Sequence, residues 1–490
     1  MVAGRLATLV VLTCAGCDVV FGLGTGSAPD AAIDAGPQVV TGVIGRQYIH
    51  NDADGLPMAE AAPHAASPIE AYVIGEPTAL PVTWDPATQQ FTFPLAGRYR
   101  VLQQVLGGVR EIQGAAAQLA LDETLLGHPD DAPPPTGVTL TYRLTPAPLG
   151  GDAERVATTG VWSSSVPSAQ ADGSLRLGWE SLIRFPGQQP ATVRPGAHDR
   201  VVFYRARARP ASAGVDDAHL AIVATSIKPL DGSVSLGTVA PIDVALVDVP
   251  RDRCQYIDAP IGRALTRLTG ALDGPPGWTA GNSAWVLYAL TLPALGFNAQ
   301  ISLAQRTLTT DLPPHTIMYG EAFPGSTPVM VVSANVRRQP AAGPAANAYL
   351  QLFTPGDPSC AATASPIDDA PIPYALEIGG TELDTDGLNV AVPDGGIELT
   401  WRLDEPGTPA TVHVVSLLKV TSAGRVAVRA IWSAEPRVWI DPALLEDGQS
   451  YGFTIQSMTW FPGAASGDFA TRASTWARGY LDTPTFTAQR

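Results

Sequence analysis

The sequence predicts an all-β chain made of several consecutive β-sandwiches. Three observations lead there. The chain has 490 residues, too many for one hydrophobic core, and length alone suggests about three or four domains. Short runs that alternate apolar and polar residues at period two recur along it, which is the pattern of half-buried strands. Glycine (48) and proline (45) together make close to a fifth of the residues and are spread along the chain, as many short strands joined by turns require. Hydrophobic residues make up 45% and charged residues only 16%, a balance that suits packed domains rather than disorder.

The net charge of −16 sets the chain against polyanions. Nucleic-acid backbones and anionic headgroups would repel it, so no nucleic-acid partner is expected.

The first residues read MVAGRLATLVVLTCAGC. One basic residue, Arg5, precedes an apolar run from Leu6 to Leu12, and small residues follow. This is the order of a secretory signal peptide. The run is far short of the roughly 20 apolar residues that span a bilayer, and no later segment approaches that length. The boundary Cys14-Ala15-Gly16-Cys17 resembles the bacterial lipobox, with Cys14 where an aliphatic residue usually stands. The resemblance implies that residues 1–16 are removed and that Cys17 carries acyl chains, holding the protein to a membrane of the cell envelope. The outer membrane or cell surface is favoured and the inner membrane is the alternative. Several acyl chains anchor durably where one would be marginal. Against this, a redox or zinc reading of Cys14 and Cys17 lacks a helix N-terminus or two further ligands. Residues 17–38, rich in Ala, Gly, Asp and Pro, read as a flexible tether.

Residues 39–126 form the first expected sandwich. VVTGVIG and IEAYVIG are strands, and QQFTFPLAGRYRVLQQV alternates so that Phe91, Phe93, Tyr99 and Val101 face one way. Gly97 supplies the turn of an expected hairpin. The order of signals over residues 39–112 resembles carboxypeptidase regulatory-like modules, small β-sandwiches. Gly127 to Gly137, with three consecutive prolines, reads as a stiff linker. A second sandwich then fills 127–250, with strands in VTLTYRLT, GSLRLGWESLIRF, DRVVFYRARA and HLAIVATSI.

Residues 251–366 are framed by Cys254 and Cys360, the two cysteines left once Cys14 is discarded and Cys17 modified. In an exported chain they form one candidate disulfide, with two separate buried thiols as the alternative. Between them, SAWVLYALTL and TPVMVVSANV are candidate buried strands, and IGRALTRLTGAL places Ile261, Leu265, Leu268 and Leu272 at helical spacing.

Residues 367–490 are the most legible. IELTWRL puts Trp401 in an alternating strand, and ATVHVVSLLKV and RVAVRAIWS follow as strands. In LLEDGQSYGFTIQSM, Leu445, Gly448 and Tyr451 match the L-x-x-G-x-x-Y corner of fibronectin type III domains, with Asp447 where Pro is common. Trp401 matches that family's core Trp. The resemblance spans residues 368–487 and implies an immunoglobulin-like sandwich whose Tyr hydroxyl bonds back to the preceding loop. It implies no chemistry.

No catalytic motif stands out. The seven histidines are scattered, and no nucleophile elbow, phosphate loop or zinc-ligand pair is present. No catalytic residue and no cofactor are therefore expected. Two acidic turns are candidate calcium loops: Asp52, Asp54 and Gly55, and then Glu382, Asp384, Asp386 and Gly387. Both lack the first Asp and the distal Glu of a calcium loop, so a plain turn is favoured for each. Trp460 and Trp476 are the aromatics expected to be exposed. The role that fits best is non-catalytic: adhesive, scaffolding or structural, with protein or polysaccharide partners. One rival is an array of carbohydrate-binding modules, which predicts aromatics aligned on an exposed face. The other is a hydrolase with an unrecognised site.

Overall fold

The computed structural model describes residues 39–490 apart from 52–56, 106–107, 127–138, 159–163, 179–199, 211–217, 230–239, 273–276, 291–300, 322–326, 340–344, 357–359, 361–366, 368–369, 406–408 and the single residues 96, 309, 423 and 474. Cys17, the signal peptide, the tether and the turn at Asp52 lie outside the described residues. Strand makes up 64% of the structure and helix 5%, in several sheets with no closed barrel among the described residues. The class is all-β sandwich, as the alternation predicts.

In the first segment, strand Val39–Asn51 is central. It pairs antiparallel with Pro57–Ala61 and Gln90–Pro94 and parallel with Gln118–Leu126. The facing sheet holds Ile69–Val73, Tyr99–Val105 and Gly108–Gly114. Phe91, Phe93, Tyr99 and Val101 all point into the core between the sheets. The expected hairpin at Gly97 does not form. Gln90–Pro94 and Tyr99–Val105 belong to different sheets, and the chain crosses between them so that Phe93 and Tyr99 meet edge to face at 5.2 Å. Alternation reveals which side of a strand is apolar, not which strand it pairs with, and an arch and a hairpin share the same pattern.

The second segment packs Thr139–Thr145, Leu175–Gly178 and Ile242–Ala245 against Ala153–Thr158, Arg200–Arg209 and His219–Pro229. Tyr142 and Phe203 fill its centre, 4.8 Å apart.

In the third, Ser283–Leu290 lies between Ile301–Leu308 and Thr327–Arg338, and Ala346–Pro355 follows. Thr327–Arg338 is buried on both faces: Val329 and Val331 enter one core, Met330, Val332 and Ala334 the other. The helix forms at Ile261–Ala271 and buries Ile261, Ala264 and Leu268. Among the described residues no helix is long and apolar enough to cross a membrane. Cys254 and Cys360 are bridged, with Cα atoms 5.5 Å apart.

The fourth segment has Ile372–Ile378, Ile397–Asp404 and Arg437–Ile440 in one sheet. The other holds Gly424–Ser433, Val412–Thr421, Ser450–Met458 and Trp476–Asp482.

These segments are not strung out in sequence order. Gly108–Gly114 of the first pairs in parallel with Gly424–Ser433 of the fourth. Trp476–Asp482 of the fourth pairs with Ala346–Pro355 of the third. Ile301–Leu308 of the third pairs with His219–Pro229 of the second. One hydrogen-bonded network of 20 strands therefore runs first, fourth, third, second, and residues Val39–Arg490 form one compact unit.

Candidate functional site

The structure brings the residues of the Tyr451 corner together. The Glu446 N–H donates to the Tyr451 hydroxyl at 2.9 Å. Gly448 holds φ +70°, a left-handed backbone that glycine adopts without strain. Leu445 and Trp401 are buried, and Trp401 meets His413 edge-on at 5.2 Å. His413 Nδ1 lies 2.9 Å from the Ser457 hydroxyl, and burial pushes its imidazole down to about 3. All of this belongs to a packed core.

The acidic turn does not converge. Glu382 and Asp384 face solvent. Asp386 accepts from the Thr485 N–H at 2.9 Å and pairs with Arg338 at 3.2 Å. Among the described residues no group of three His, Cys, Asp or Glu side chains is placed to hold a metal. The described histidines are dispersed: His50 pairs with Glu60 at 3.0 Å, and His64 lies 3.3 Å from a Glu123 carboxylate that Arg46 also meets.

Trp476 corrects the expectation of exposure: it is 4% exposed. Its neighbours in sequence are polar, but the chain before it, residues 459–473, folds back over its ring. Trp476 stacks on Phe353 at 3.8 Å and on the half-buried Trp460 at 4.9 Å. Phe461, Ala464 and Phe469 of the loop are buried in the same core. The loop grips the first segment: Ala120 N–H donates to the Gly467 carbonyl and Phe469 N–H donates to that of Ala120, both at 2.9 Å. Gly467 has φ +91°, and a Cβ there would strike the Gln118 carbonyl. Arg472 pairs with Asp122 and lies 5.1 Å from the Trp460 ring centre.

Aromatics line up along strand Trp476–Asp482 and stack on rings of the neighbouring strand Ala346–Pro355. Tyr349 and Tyr480 stack on one another at 4.1 Å. Arg478 lies 5.3 Å from the Tyr349 ring and donates to Gln351 and Gln456. Such ring and guanidinium contacts stabilise by about 0.5–2 kcal/mol each when desolvated.

The polar residues that join the segments were not legible as functional in the sequence. Gln113 Nε2 donates to the Trp439 carbonyl at 2.6 Å, and the Trp439 N–H donates back to Gln113 Oε1 at 2.8 Å. One side chain thus stands in for a neighbouring strand along the edge of Arg437–Ile440. Beside it, Arg100 pairs with Asp441 at 2.5 Å, with its guanidinium 4.6 and 4.9 Å from the rings of Tyr72 and Trp439. Arg267 of the helix donates to the Asp404 carboxylate at 2.7 Å and to the Asp404 and Ala370 carbonyls, both at 2.6 Å.

No family model matches the chain, and no curated protein matches it. Among solved structures, a Salmonella alpha-2-macroglobulin is 11% identical over 92% of this chain with a TM-score of 0.12, and the match covers 29% of that protein's length. A tetra-tandem repeat from the extending region of a large adhesion protein is 10% identical, covering 87% of this chain and 89% of its own, with a TM-score of 0.11. Overlays at these scores do not amount to a shared topology.

Proposed function

We propose that this chain is a lipid-anchored cell-envelope protein with a non-catalytic adhesive, scaffolding or structural role, held to the membrane through Cys17. The observation that carries this reading is the unbroken strand network from the first segment through the fourth and third to the second. Such a ladder, locked by Gln113, Arg100 and Arg267 at the seams, makes a stiff body suited to bearing load or presenting a surface at the end of a tether. The bridge between Cys254 and Cys360 supports export, because disulfides persist in oxidising compartments. The lipobox-like boundary supports the anchor. The sandwich with the Tyr451 corner supports membership of the fibronectin type III type, a fold used widely for spacing and display.

The test is intact mass and membrane fractionation after expression in a lipoprotein-processing host, comparing wild type with Cys17→Ala. A membrane-bound species with the mass of residues 17–490 plus acyl chains, lost in the variant, is expected. A soluble wild-type protein without acyl mass would refute the anchor.

A further inference from the structure

The seam between the second and third segments is built differently from the rest of the ladder. Only two register pairs join it, Leu220 with Gln305 and Ala221 with Ala304. A register shift flanks each side: one between Arg205 and Ala206 on the second-segment strand, the other between Leu287 and Tyr288 on the third. Bulges raise local twist, bend a strand and re-aim side chains. A cleft of about 200 Å³ lies at this seam, with Leu220 and Ala221 among its walls.

Among the described residues the polar side chains lining this cleft are those of Arg155, Tyr204, Tyr288, Ser302 and Gln305. Arg155 lines it and, among the described residues, has no ion pair or hydrogen bond. The Tyr288 hydroxyl also lacks a partner there, and burial pushes its phenol up to about 12, so it keeps its proton near neutral pH. Ser302 donates to Gln305 Oε1 at 3.1 Å, which leaves the Gln305 amide N–H groups for a ligand. Among the described residues no carboxylate lines the cleft. A cationic fork, a phenol and an amide lining one small cleft match a carboxylate, which accepts a bidentate pair from Arg.

We propose that this cleft binds a single carboxylate on a small organic molecule no larger than one acidic sugar residue, with Arg155 taking the carboxylate and Tyr288 and Gln305 donating to it or to adjoining oxygens. The size argues for a fragment rather than a drug-sized ligand, since ordinary ligand pockets run about 300–1,000 Å³. The net charge of −16 argues for one carboxylate rather than a polyanion, because the long-range field repels while a local guanidinium attracts at contact. The proposal is independent of the anchor, since the cleft lies wholly within the β body.

The experiment titrates the full chain in detergent with sodium glucuronate, sodium acetate and glucose, read by saturation-transfer NMR, for wild type, Arg155→Gln and Gln305→Ala, with Arg143→Gln as an exposed control. Thermal melts confirm that each variant is folded. Glucuronate is expected to bind at least about tenfold more tightly than glucose, and Arg155→Gln to weaken it by about tenfold or more. Gln305→Ala should weaken it less and Arg143→Gln leave it unchanged. Acetate binding as well as glucuronate would assign the site to free small acids, and weaker acetate binding to an acidic sugar. Equal binding of glucose and glucuronate, no saturable binding, or no response to either Arg155→Gln or Gln305→Ala would overturn the proposal.

Discussion

Replacing Gln113 with Ala tests whether the seam between the first and fourth segments rests on one amide. Gln113 is 1% exposed and Trp439 9%, so water cannot readily replace the lost partners. The variant orphans the Trp439 N–H and carbonyl together, at about 1–3 kcal/mol for each unsatisfied buried group. With partial relaxation a loss of roughly 2–4 kcal/mol is expected. Gln113→Glu sharpens the test. Its carboxylate could still accept from the Trp439 N–H, but its second oxygen would face the Trp439 carbonyl and Glu111, to which Gln113 now donates at 2.7 Å. Burial already pushes the Glu111 carboxyl up, and a second carboxylate beside it would raise both. Groups raised in the folded state are most favourable when protonated, so the Gln113→Glu defect should shrink as pH falls below neutral, while that of Gln113→Ala should not. Urea unfolding followed by tryptophan fluorescence gives the loss, and hydrogen exchange across 437–440 reports the orphaned amide. Gln104→Ala, at an exposed position on the neighbouring strand Tyr99–Val105 and four residues along from Arg100, the register partner of Gln113, is the control. A Gln113→Ala midpoint within about 0.5 kcal/mol of wild type, the ordinary range of a surface substitution, with unchanged exchange at Trp439 would refute the reasoning.

Two further outcomes follow from buried groups. Cys254 and Cys360 are separated by 106 residues, so the chain-entropy account assigns their bridge about 4.7 kcal/mol; Cys254→Ala/Cys360→Ala should lower the urea midpoint, and reductant should shift wild type but not the double variant. His413 has its imidazole pushed down to about 3 by burial, so the folded state favours the neutral ring. That stability is complete above the unfolded value near 6.5 and is lost as pH falls from there toward 3, at up to about 1.4 kcal/mol per pH unit; His413→Phe should flatten the acid limb of the stability profile, and an unchanged limb would contradict it.

The all-β class, the helix at Ile261–Ala271, the inward faces of Phe91, Phe93, Tyr99 and Val101, the Tyr451 corner and the Cys254–Cys360 pair were all legible in the sequence. Each rests on local information: a period of two or 3.6, a turn residue at a fixed offset, or a pair with no competitor. What the tertiary structure alone decided was partnership. It set the ladder order of first, fourth, third and second segments, turned the expected hairpin at Gly97 into an arch, covered Trp476 with the loop before it, and brought Gln113 to Trp439. Strand edges all offer the same N–H and C=O groups, so alternation carries no record of which edge meets which. For the same reason no local pattern marks Arg100, Gln113 or Arg267 as seam residues, and Arg155 lines a cleft only because strands far apart in the chain meet at one seam.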